Sequence, residues 1–399
     1  MNKLSLKQLD VKNKKVLLRV DLNVPMNEEG IITDDTRMKE ALGSIQYILD
    51  HKGSVILMSH LGRPKGKFNL KLSLEPCAKA LSLLLKYPVL MAKDCIGPNA
   101  QNLVAHLQPN QILLLENLRF DPAEEHPSSN PEFAKKLASF GDVYVNDAFG
   151  TAHREHSSIT TITKYFPGKS AMGFLMQKEI NFLSSLIQNP QSPFYAIIGG
   201  AKISSKLGVL KSLLKKVDGL FIGGGMAYTL LKAQGYPIGN SIYEEDQLDE
   251  ALQLIKSCKD QKLPLWLPVD LLIADRFSKT ANSKCIKVHQ GVSDGWQGMD
   301  IGAETIAIWE KELVKAATLF WNGPLGVFEF PAFAKGTEAI ARCIASSKAF
   351  SVIGGGDSVA AINQLHLASS FSHISTGGGA SLEYLEFGHL PGIDRLSDI

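Results

Sequence analysis

Short, nearly continuous hydrophobic runs recur through the first half of the chain. They are rich in Val, Ile and Leu and read VLLRV (16–20), SVILMSH (54–60), ILLLENL (112–118) and VYVNDAF (143–149). Runs of this kind are typical of strands that are buried on both faces. Between two of them, the segment DTRMKEALGSIQYILDHKG is amphipathic with a helical period, and its apolar face is formed by Met38, Leu42, Ile45 and Ile48. Because strands alternate with helices, the pattern predicts a parallel sheet.

The second half of the chain repeats this alternation. Its hydrophobic runs are PFYAIIGGA, GLFIGGGMA, PLWLPVDLLIA, AATLFWNGP, AFSVIGGGDS and SHISTGGGAS. They predict a second α/β sheet. Between the halves, QKEINFLSSLIQ has the period of a helix, and Pro190 and Pro193 follow it closely. Proline ends helices, so we expect a helix and a hinge region here.

Composition limits the class of protein. A chain of 399 residues is too long for one ordinary core and favours two domains. The net charge of +2 provides no large field for capturing nucleic acid or a membrane. The five cysteines are widely spaced and do not have the spacing of a zinc site. The N-terminus MNKLSLKQLD lacks the apolar segment of a secretory signal peptide. We therefore expect a soluble cytoplasmic protein with no nucleic-acid or membrane partner.

Four strands of the second half end in glycine clusters. These clusters are 199–200, 223–225, 354–356 and 377–379. Glycine lets backbone N–H groups approach phosphate oxygens, and the start of a following helix adds partial positive charge. Any single cluster is equally well explained as a tight turn, but four of them favour a phosphate-binding edge. The segment GRPKGKF is not a Walker A loop, and GGGMAY, GGGDSV and GGGASL lack the last glycine of GxGxxG, which disfavours a dehydrogenase.

Two lysines follow the first of these clusters. The apolar spacing of Ile203, Leu207 and Leu210 predicts a helix that starts just after Gly200 and carries Lys202 and Lys206 in its first turns. Two cations four residues apart at a helix N-terminus repel each other and oppose the helix dipole. The alternative is a pair of solvated surface lysines. The adjacent glycine turn favours a phosphate site.

Polar residues cluster where the strands of the first half end. The segments RVDLN, SHLGR, LENLRF and NDAFGTAHR place Asp21, Asn23, His60, Arg63, Arg119 and Arg154 near one sheet edge, and Arg37 is expected beside them. The planar guanidinium group suits carboxylate and phosphate, so this edge predicts a site for a small polyanion. The alternative for each arginine is a surface ion pair. His153 and His156 suggest a metal, but their spacing and the lack of an acidic ligand motif argue against one.

Taken together, these motifs resemble the phosphoglycerate kinase family over nearly the whole chain. The strings are LLRVDLNVP, SHLGRPKG, LLENLRF, NDAFGTAHREHSS, GGAK, IGGGMA, LPVDLLIA, GWQGMDIG, WNGPLGVFEF, GGGDS and STGGGASLEYL. The resemblance implies a monomer of two Rossmann-like domains with parallel sheets joined by a hinge helix. The expected bounds are 1–172 for a 3-phosphoglycerate-binding domain, 173–189 for the interdomain helix, 190–384 for a nucleotide-binding domain and 385–399 for a segment that returns to the first domain.

The resemblance also implies a role for individual residues. The 3-phosphoglycerate site would comprise Asp21, Asn23, Arg37, His60, Arg63, Arg119 and Arg154. The nucleotide site would comprise Lys202, Lys206, Gly224, Gly298, Asn322, Glu329, Gly355, Gly356, Asp357 and Ser358, with Glu329 on the ribose and Asp357 on Mg²⁺. The family usually has Thr where this chain has Ser358, and because the hydroxyl is kept, we expect no loss of activity.

The implied reaction is reversible transfer of the acyl phosphate of 1,3-bisphosphoglycerate to MgADP, giving 3-phosphoglycerate and MgATP. In the reverse direction the nucleophile is a carboxylate with a pKa near ~4, so no general base is needed. Arg37 and Lys202 are the expected catalytic residues, which stabilise charge on the transferred phosphoryl group. Alternatives are another carboxylate kinase and a catalytically silent binding protein on the same fold.

Overall fold

The computed structural model describes residues 2–399, which form two compact units. One unit runs from the N-terminus to Asn181 and also includes His389–Ile399, whereas the other comprises Phe182–Gly388. Each unit has its own sheet and its own core.

The first unit is built on a parallel six-stranded sheet of order β3-β4-β2-β1-β5-β6. The strands are β1 (Lys15–Arg19), β2 (Ser54–Met58), β3 (Val89–Met91), β4 (Ile112–Leu114), β5 (Val143–Asn146) and β6 (Ser170–Met172). The helices are α1 (Thr36–Asp50), α2 (Glu75–Leu85), α3 (Pro98–His106), α4 (Pro122–Glu125), α5 (Glu132–Ala138) and α14 (Pro391–Asp394). The four strands predicted from the hydrophobic runs are confirmed, although each strand ends before the last residues of its run.

The apolar face predicted for α1 lies in the core of the first unit. Met38, Ile45 and Ile48 are fully buried, and Leu42 packs beside them. β1, at the centre of the sheet, pairs in parallel with both neighbours, so that Leu17 lies opposite Ile56 on one side and Tyr144 on the other. The two-sided burial of these strands explains why their sequence is hydrophobic throughout.

The second unit contains a parallel six-stranded sheet of order β15-β14-β13-β7-β8-β9. The strands are β7 (Phe194–Ile198), β8 (Gly219–Ile222), β9 (Leu265–Trp266), β13 (Thr318–Asn322), β14 (Phe350–Gly354) and β15 (His373–Ile374). The helices are α7 (Leu207–Leu213), α8 (Gly225–Ala233), α9 (Leu248–Asp260), α10 (Ala303–Leu313), α11 (Lys335–Ala345), α12 (Gly356–Gln364) and α13 (Gly379–Phe387). These two parallel sheets confirm the predicted α/β fold class.

A small antiparallel sheet in the second unit was not predicted. Its order is β11-β10-β12, with β10 (Asp270–Ala274), β11 (Ser283–Lys287) and β12 (Gln297–Ile301). The run PLWLPVDLLIA contributes to two sheets, because β9 joins the parallel sheet and β10 joins the antiparallel one. A single hydrophobic run does not reveal such a change of partner.

Helix α6 (Phe174–Gln188) contains the point at which the two units divide, between Asn181 and Phe182. It lies in the segment predicted as the interdomain helix. The second unit ends after α13, and the residues beyond Gly388 group with the first unit. The expected binding of 3-phosphoglycerate to the first domain and of the nucleotide to the second stays a prediction.

The C-terminal residues are tied to the first unit by backbone hydrogen bonds. The N–H of Leu4 donates to the carbonyl of Ser397 at 2.9 Å, and the N–H of Ser397 donates to the carbonyl of Ser170 at 3.1 Å. The side chain of Ile393 is fully buried. Among residues 2–399, no helix is long and apolar enough to cross a bilayer.

The buried C-terminal residues generate a stability prediction. We expect Ile393→Ala to lower the unfolding free energy of the first unit by about 2 to 4 kcal/mol, because the smaller side chain leaves a cavity. Ile399→Ala is the matched control, since that side chain is 64% exposed and its removal should change little. Urea unfolding followed by circular dichroism measures both variants, and equal midpoints would contradict the packing described for Ile393.

Candidate active site

The predicted polyanion residues of the first unit lie at the carboxyl ends of neighbouring parallel strands. Parallel strands all end at the same sheet edge, which is where ligands bind in open α/β sheets. Asp21 and Asn23 follow β1, His60 and Arg63 follow β2, Arg119 follows β4, Arg154 follows β5, and Arg37 is in the first turn of α1. The sheet topology thus brings residues far apart in sequence to one edge.

Arg37 is oriented by the loop after β1. Its Nη1 donates to Asp21 Oδ2 at 3.0 Å and to the carbonyl of Asn23 at 3.1 Å. Asn23 Oδ1 accepts from the N–H of Gly62 at 2.8 Å, which ties this loop to the loop after β2. Because these contacts use one terminal nitrogen of Arg37, its other guanidinium N–H groups stay available to a ligand.

The other arginines of this edge differ in exposure. Arg119 is partly buried; its Nη1 donates to the carbonyl of Gly62 at 2.9 Å, and its Nε lies 3.1 Å from Glu125 Oε1. Arg63 and Arg154 are exposed. Three cations without a matching number of carboxylates make this edge attractive to an anion.

His60 is buried beside these cations. Its Nδ1 lies 3.2 Å from Nη2 of Arg19, an arginine that is itself fully buried. Burial, and then the positive charges of Arg19, Arg119 and Arg37, hold the pKa of His60 well below its usual value. His60 is therefore neutral at pH 7.

A buried polar group beneath the edge was missed by the sequence reasoning. Arg19 Nε donates to Ser158 Oγ at 2.9 Å, and Ser158 Oγ donates to Glu124 Oε1 at 2.6 Å. Arg19 belongs to the run VLLRV and was interpreted only as part of a strand. An arginine inside an otherwise hydrophobic strand was the available signal, since a buried charge needs a partner.

His153 and His156 do not form a helical metal pair. They lie in a turn and the loop after it, and no group of three or more His, Cys, Asp or Glu in residues 2–399 has a metal-binding arrangement. Burial lowers the pKa of His153 to about 4, and burial with nearby Arg19 lowers the pKa of His156 to about 3. Both side chains are thus neutral at pH 7.

In the second unit, all four glycine clusters follow strands of one sheet. Two come directly after β7 and β8, one begins at the last residue of β14, and one lies three residues beyond the end of β15, so they lie at one edge, as predicted. A fifth turn, at Gly323 after β13, was not recognised. Gly323 has a φ of +94°, and a Cβ there would lie 2.2 Å from the carbonyl oxygen of Gly199, so only glycine fits.

The helix predicted to start just after Gly200 was placed wrongly. A 3₁₀ turn covers Ser204–Lys206, and α7 begins only at Leu207. Lys202 precedes both and is exposed, so the two lysines do not occupy the first turns of one helix. The physical reason is the side chain of Lys206, which turns back to donate to the carbonyl of Gly199 and to Asn322 Oδ1, both at 2.6 Å.

Lys206 is a poorly solvated cation at this edge. Burial lowers its pKa to about 8, and the negative charge of Asp357 offsets part of that effect. Its partners are neutral oxygens, so a phosphate nearby would stabilise the charged form. This partly buried lysine fits an anion site better than a surface role.

Two adjoining pockets of about 460 Å³ and 390 Å³ occupy the glycine-rich edge. The larger is lined by Gly224, Gly298 and Glu329, among others. The smaller is lined by Lys202, Lys206, Asn322, Gly355, Gly356 and Ser358, and Asp357 borders both. Every residue predicted for the nucleotide therefore lines one of the two pockets.

The smaller pocket has a preformed polar wall. Ser358 is fully buried, and its Oγ accepts from the N–H of Gly323 at 2.5 Å. Asn322 is 2% exposed, and its Nδ2 has no hydrogen-bond partner within residues 2–399. A buried amide donor that faces the glycine turn is expected to find its partner in a ligand.

The chain is similar over nearly its whole length to proteins of one family. The phosphoglycerate kinase family model matches residues 6–388. The chain is 51% identical to the phosphoglycerate kinase of Moorella thermoacetica over 398 residues, covering 100% of both chains. It is 53% identical to the cytosolic phosphoglycerate kinase of Nicotiana tabacum over 397 residues, covering 99% of this chain and 98% of the relative. The solved phosphoglycerate kinase of Coxiella burnetii superimposes with a TM-score of 0.86 at 40% identity, covering 98% of each chain.

Ser358 provides a test of the pocket wall. We expect Ser358→Ala to destabilise the second unit by about 1 to 3 kcal/mol, because the buried N–H of Gly323 loses its acceptor. Ser358→Thr keeps the hydroxyl and is the matched control, with expected stability and activity close to those of the parent. Urea unfolding and steady-state kinetics measure both. An alanine variant as stable as the threonine variant would contradict the role given to the hydroxyl.

Proposed function

The chain belongs to the phosphoglycerate kinase family, and from this premise we propose how its two compact units divide the work of the reaction. As a member of that family, it is a phosphotransferase that reversibly transfers the acyl phosphate of 1,3-bisphosphoglycerate to ADP in glycolysis, with 3-phosphoglycerate and ATP as products. The similarity to these relatives does not favour the two alternative functions, another carboxylate kinase and a catalytically silent binding protein.

We propose that 3-phosphoglycerate binds at the strand edge of the first unit. The observation that carries this proposal is the convergence there of Arg37, Arg63, Arg119 and Arg154 with the neutral His60. Guanidinium groups can grip a phosphate or a carboxylate with paired hydrogen bonds. Asp21 and Asn23 would act by orienting Arg37 and the adjacent loop.

We propose that the nucleotide occupies the two pockets of the second unit. The larger pocket, which has an apolar wall, suits the base and ribose, with the Glu329 carboxylate available to the ribose hydroxyls. The smaller pocket suits the phosphates, because Lys202, Lys206, Gly355 and Gly356 line it, and glycine allows backbone N–H groups to approach a phosphate closely. The unpartnered Nδ2 of Asn322 supports the same assignment.

Magnesium is part of this proposal. Asp357 is an exposed carboxylate on the border of both pockets, and residues 2–399 contain no cluster of three candidate ligands. One carboxylate fits Mg²⁺ that takes its other ligands from nucleotide phosphates and water. When bound, the ion would neutralise charge on the phosphates, while Asp357 would hold it at the pocket border.

The chemistry needs positioning and charge stabilisation more than acid–base catalysis. The attacking carboxylate, with a pKa near ~4, is ionised at neutral pH. We assign the stabilisation of the transferred phosphoryl group to Arg37 and Lys202, which leave donors free toward the substrate and nucleotide edges respectively. In-line transfer requires reacting atoms within about 3 to 3.5 Å, so the hinge predicted near 173–189 would bring the two ligands together.

We further propose that the protein works as a cytoplasmic monomer. Five free cysteines are compatible with a reducing compartment, and the tobacco relative is named as cytosolic. The monomeric state follows from the family resemblance.

A crossed pair of variants tests the division of ligands. We expect Arg63→Ala to weaken 3-phosphoglycerate binding by about tenfold or more, because a charge-assisted hydrogen bond is lost, and to leave nucleotide binding within about threefold. Lys202→Ala should instead lower kcat by about 30-fold or more while ADP affinity changes only several-fold. Calorimetry and steady-state kinetics provide these values.

Surface cations are the controls for this pair. Arg342 pairs with Glu338 on α11, and Lys215 is exposed beyond α7. Alanine variants of both should behave like the parent. Equal losses for both ligands in Arg63→Ala, or a normal kcat in Lys202→Ala, would refute the assignment.

The magnesium assignment has its own test. Asp357→Asn should raise the Mg²⁺ concentration needed for half-maximal activity, because a neutral amide is a poorer ligand for a hard cation than a carboxylate. Asp294→Asn, at an exposed position that lines neither pocket, is the matched control. A magnesium titration at fixed ATP measures the effect, and overlapping curves for the two variants would place the ion elsewhere.

A further inference from the structure

The hydrogen bonds beneath the substrate edge point to a fixed protonation state for His60. We propose that Arg19 holds His60 as the neutral tautomer that carries its proton on Nε2, and that this N–H donates to the triose anion. Glu124 and Ser158 in turn hold Arg19. Arg19, Ser158 and Glu124 would thus be positioning residues, and this inference rests on the proposed 3-phosphoglycerate site of the first unit.

The tautomer follows from the chemistry of the contact between Arg19 and His60. Nη2 of Arg19 and Nδ1 of His60 are 3.2 Å apart, and both side chains are buried. Guanidinium is always protonated and has no acceptor, so Nδ1 must be the acceptor. A neutral imidazole that accepts at Nδ1 carries its proton on Nε2. Nε2, which makes no hydrogen bond with residues 2–399, is left as a donor for a ligand.

Arg19 is itself held in one orientation by directional hydrogen bonds. Nε donates to Ser158 Oγ at 2.9 Å, and Nη1 donates to the carbonyl of Val20. Ser158 Oγ donates a hydrogen bond to Glu124 Oε1 at 2.6 Å, and the N–H of Ser158 donates to Glu124 Oε2 at 3.0 Å. Arg19 is therefore the donor and Glu124 the acceptor, and Ser158 Oγ accepts from the first and donates to the second. A fully satisfied buried network of this kind specifies a single arrangement.

Glu124 supplies the negative charge that allows Arg19 to be buried. It has no exposed surface, and although burial raises its pKa, the positive charge of Arg19 and the two bonds from Ser158 favour its ionised form. An uncompensated buried cation would be strongly destabilising. His156 lies close by, with its Nδ1 3.9 Å from Glu124 Oε1, and is neutral because its pKa is lowered to about 3.

The other charged groups around His60 favour the same state. Arg37 comes from α1, Arg119 from the loop after β4 and Arg19 from β1, and all three oppose a positive charge on the ring. The neighbouring His156 is itself neutral at pH 7 and adds no charge there. The folded protein therefore keeps His60 neutral through mildly acidic pH, where a free histidine would already be protonated. Nε2 of His60 thus keeps its proton, and stays a hydrogen-bond donor, from neutral to mildly acidic pH.

Nitrogen NMR of the full-length protein labelled at histidine tests the tautomer directly. Long-range proton–nitrogen correlations distinguish a protonated ring nitrogen from an unprotonated one, and the signal lost in His60→Gln identifies His60 among the ten histidines. We expect Nε2 protonated and Nδ1 unprotonated at pH 7, with no change down to about pH 5.5. A proton on Nδ1, or an imidazolium ring at pH 7, would overturn the proposal.

Ser158→Ala tests whether the buried network sets that state. Loss of the hydroxyl should release Arg19, so a second His60 tautomer should appear and 3-phosphoglycerate should bind about three- to tenfold more weakly, with nucleotide affinity unchanged. Thr160→Ala is the matched control, because its buried hydroxyl donates only to the carbonyl of His156. A purely structural serine would alter stability without altering the tautomer, and that result would refute the positioning role.

A pair of substitutions at His60 separates the donor role from the substrate site itself. The amide nitrogen of Gln can stand in for Nε2, whereas Asn reaches only the position of Nδ1. We expect His60→Gln to bind 3-phosphoglycerate within about threefold of the parent and His60→Asn about tenfold or more weakly. If the two His60 variants bind 3-phosphoglycerate equally well, the donor role of His60 is refuted. This holds even if weaker binding by Arg63→Ala supports the 3-phosphoglycerate site. An Arg63→Ala variant with normal binding would instead refute the site.

Discussion

The parallel order of the strands is the constraint on which both candidate sites depend. In a parallel sheet every strand ends at the same edge, so residues that follow different strands meet there although they are far apart in sequence. In the first unit this edge gathers arginines from the ends of β2, β4 and β5, and in the second it gathers glycine turns from β7, β8, β13 and β14. A short insertion or a register change in one of these strands would displace a residue of a candidate site.

The two edges offer an anion different chemical groups. The first uses guanidinium side chains, which form directional paired bonds and suit a small ligand with several charged groups. The second presents glycine turns together with the side chains of Lys202 and Lys206. Backbone donors have no side-chain entropy to lose on binding, and glycine allows the chain to come close to a phosphate. The difference fits one unit that recognises a particular acid and another that holds a polyphosphate.

Burial of charge is the cost that each edge has to offset. Arg19 lies fully inside the first unit, and it is tolerated because Ser158 and Glu124 satisfy it. Lys206 has only neutral oxygen partners at hydrogen-bond distance, and burial lowers its pKa to about 8. The hydrogen bonds of Arg19 fix its orientation without a ligand. Lys206, in contrast, is a cation that a bound phosphate would stabilise.

The sequence by itself determined the strands that have long hydrophobic runs, the apolar face of α1 and the glycine clusters, because periodicity and turn chemistry are local properties. It also identified the arginines and lysines of both edges. It did not indicate the strands β3, β6, β11 and β12. It did not reveal the late start of α7 at Leu207, the separate sheet formed by β10, or the contacts between Arg19, Ser158 and Glu124. Ser158 is 139 residues from Arg19 and 34 from Glu124. Only the tertiary structure decided these features, because partners distant in sequence set the direction of a lysine side chain, the sheet that a strand joins and the protonation of a buried histidine.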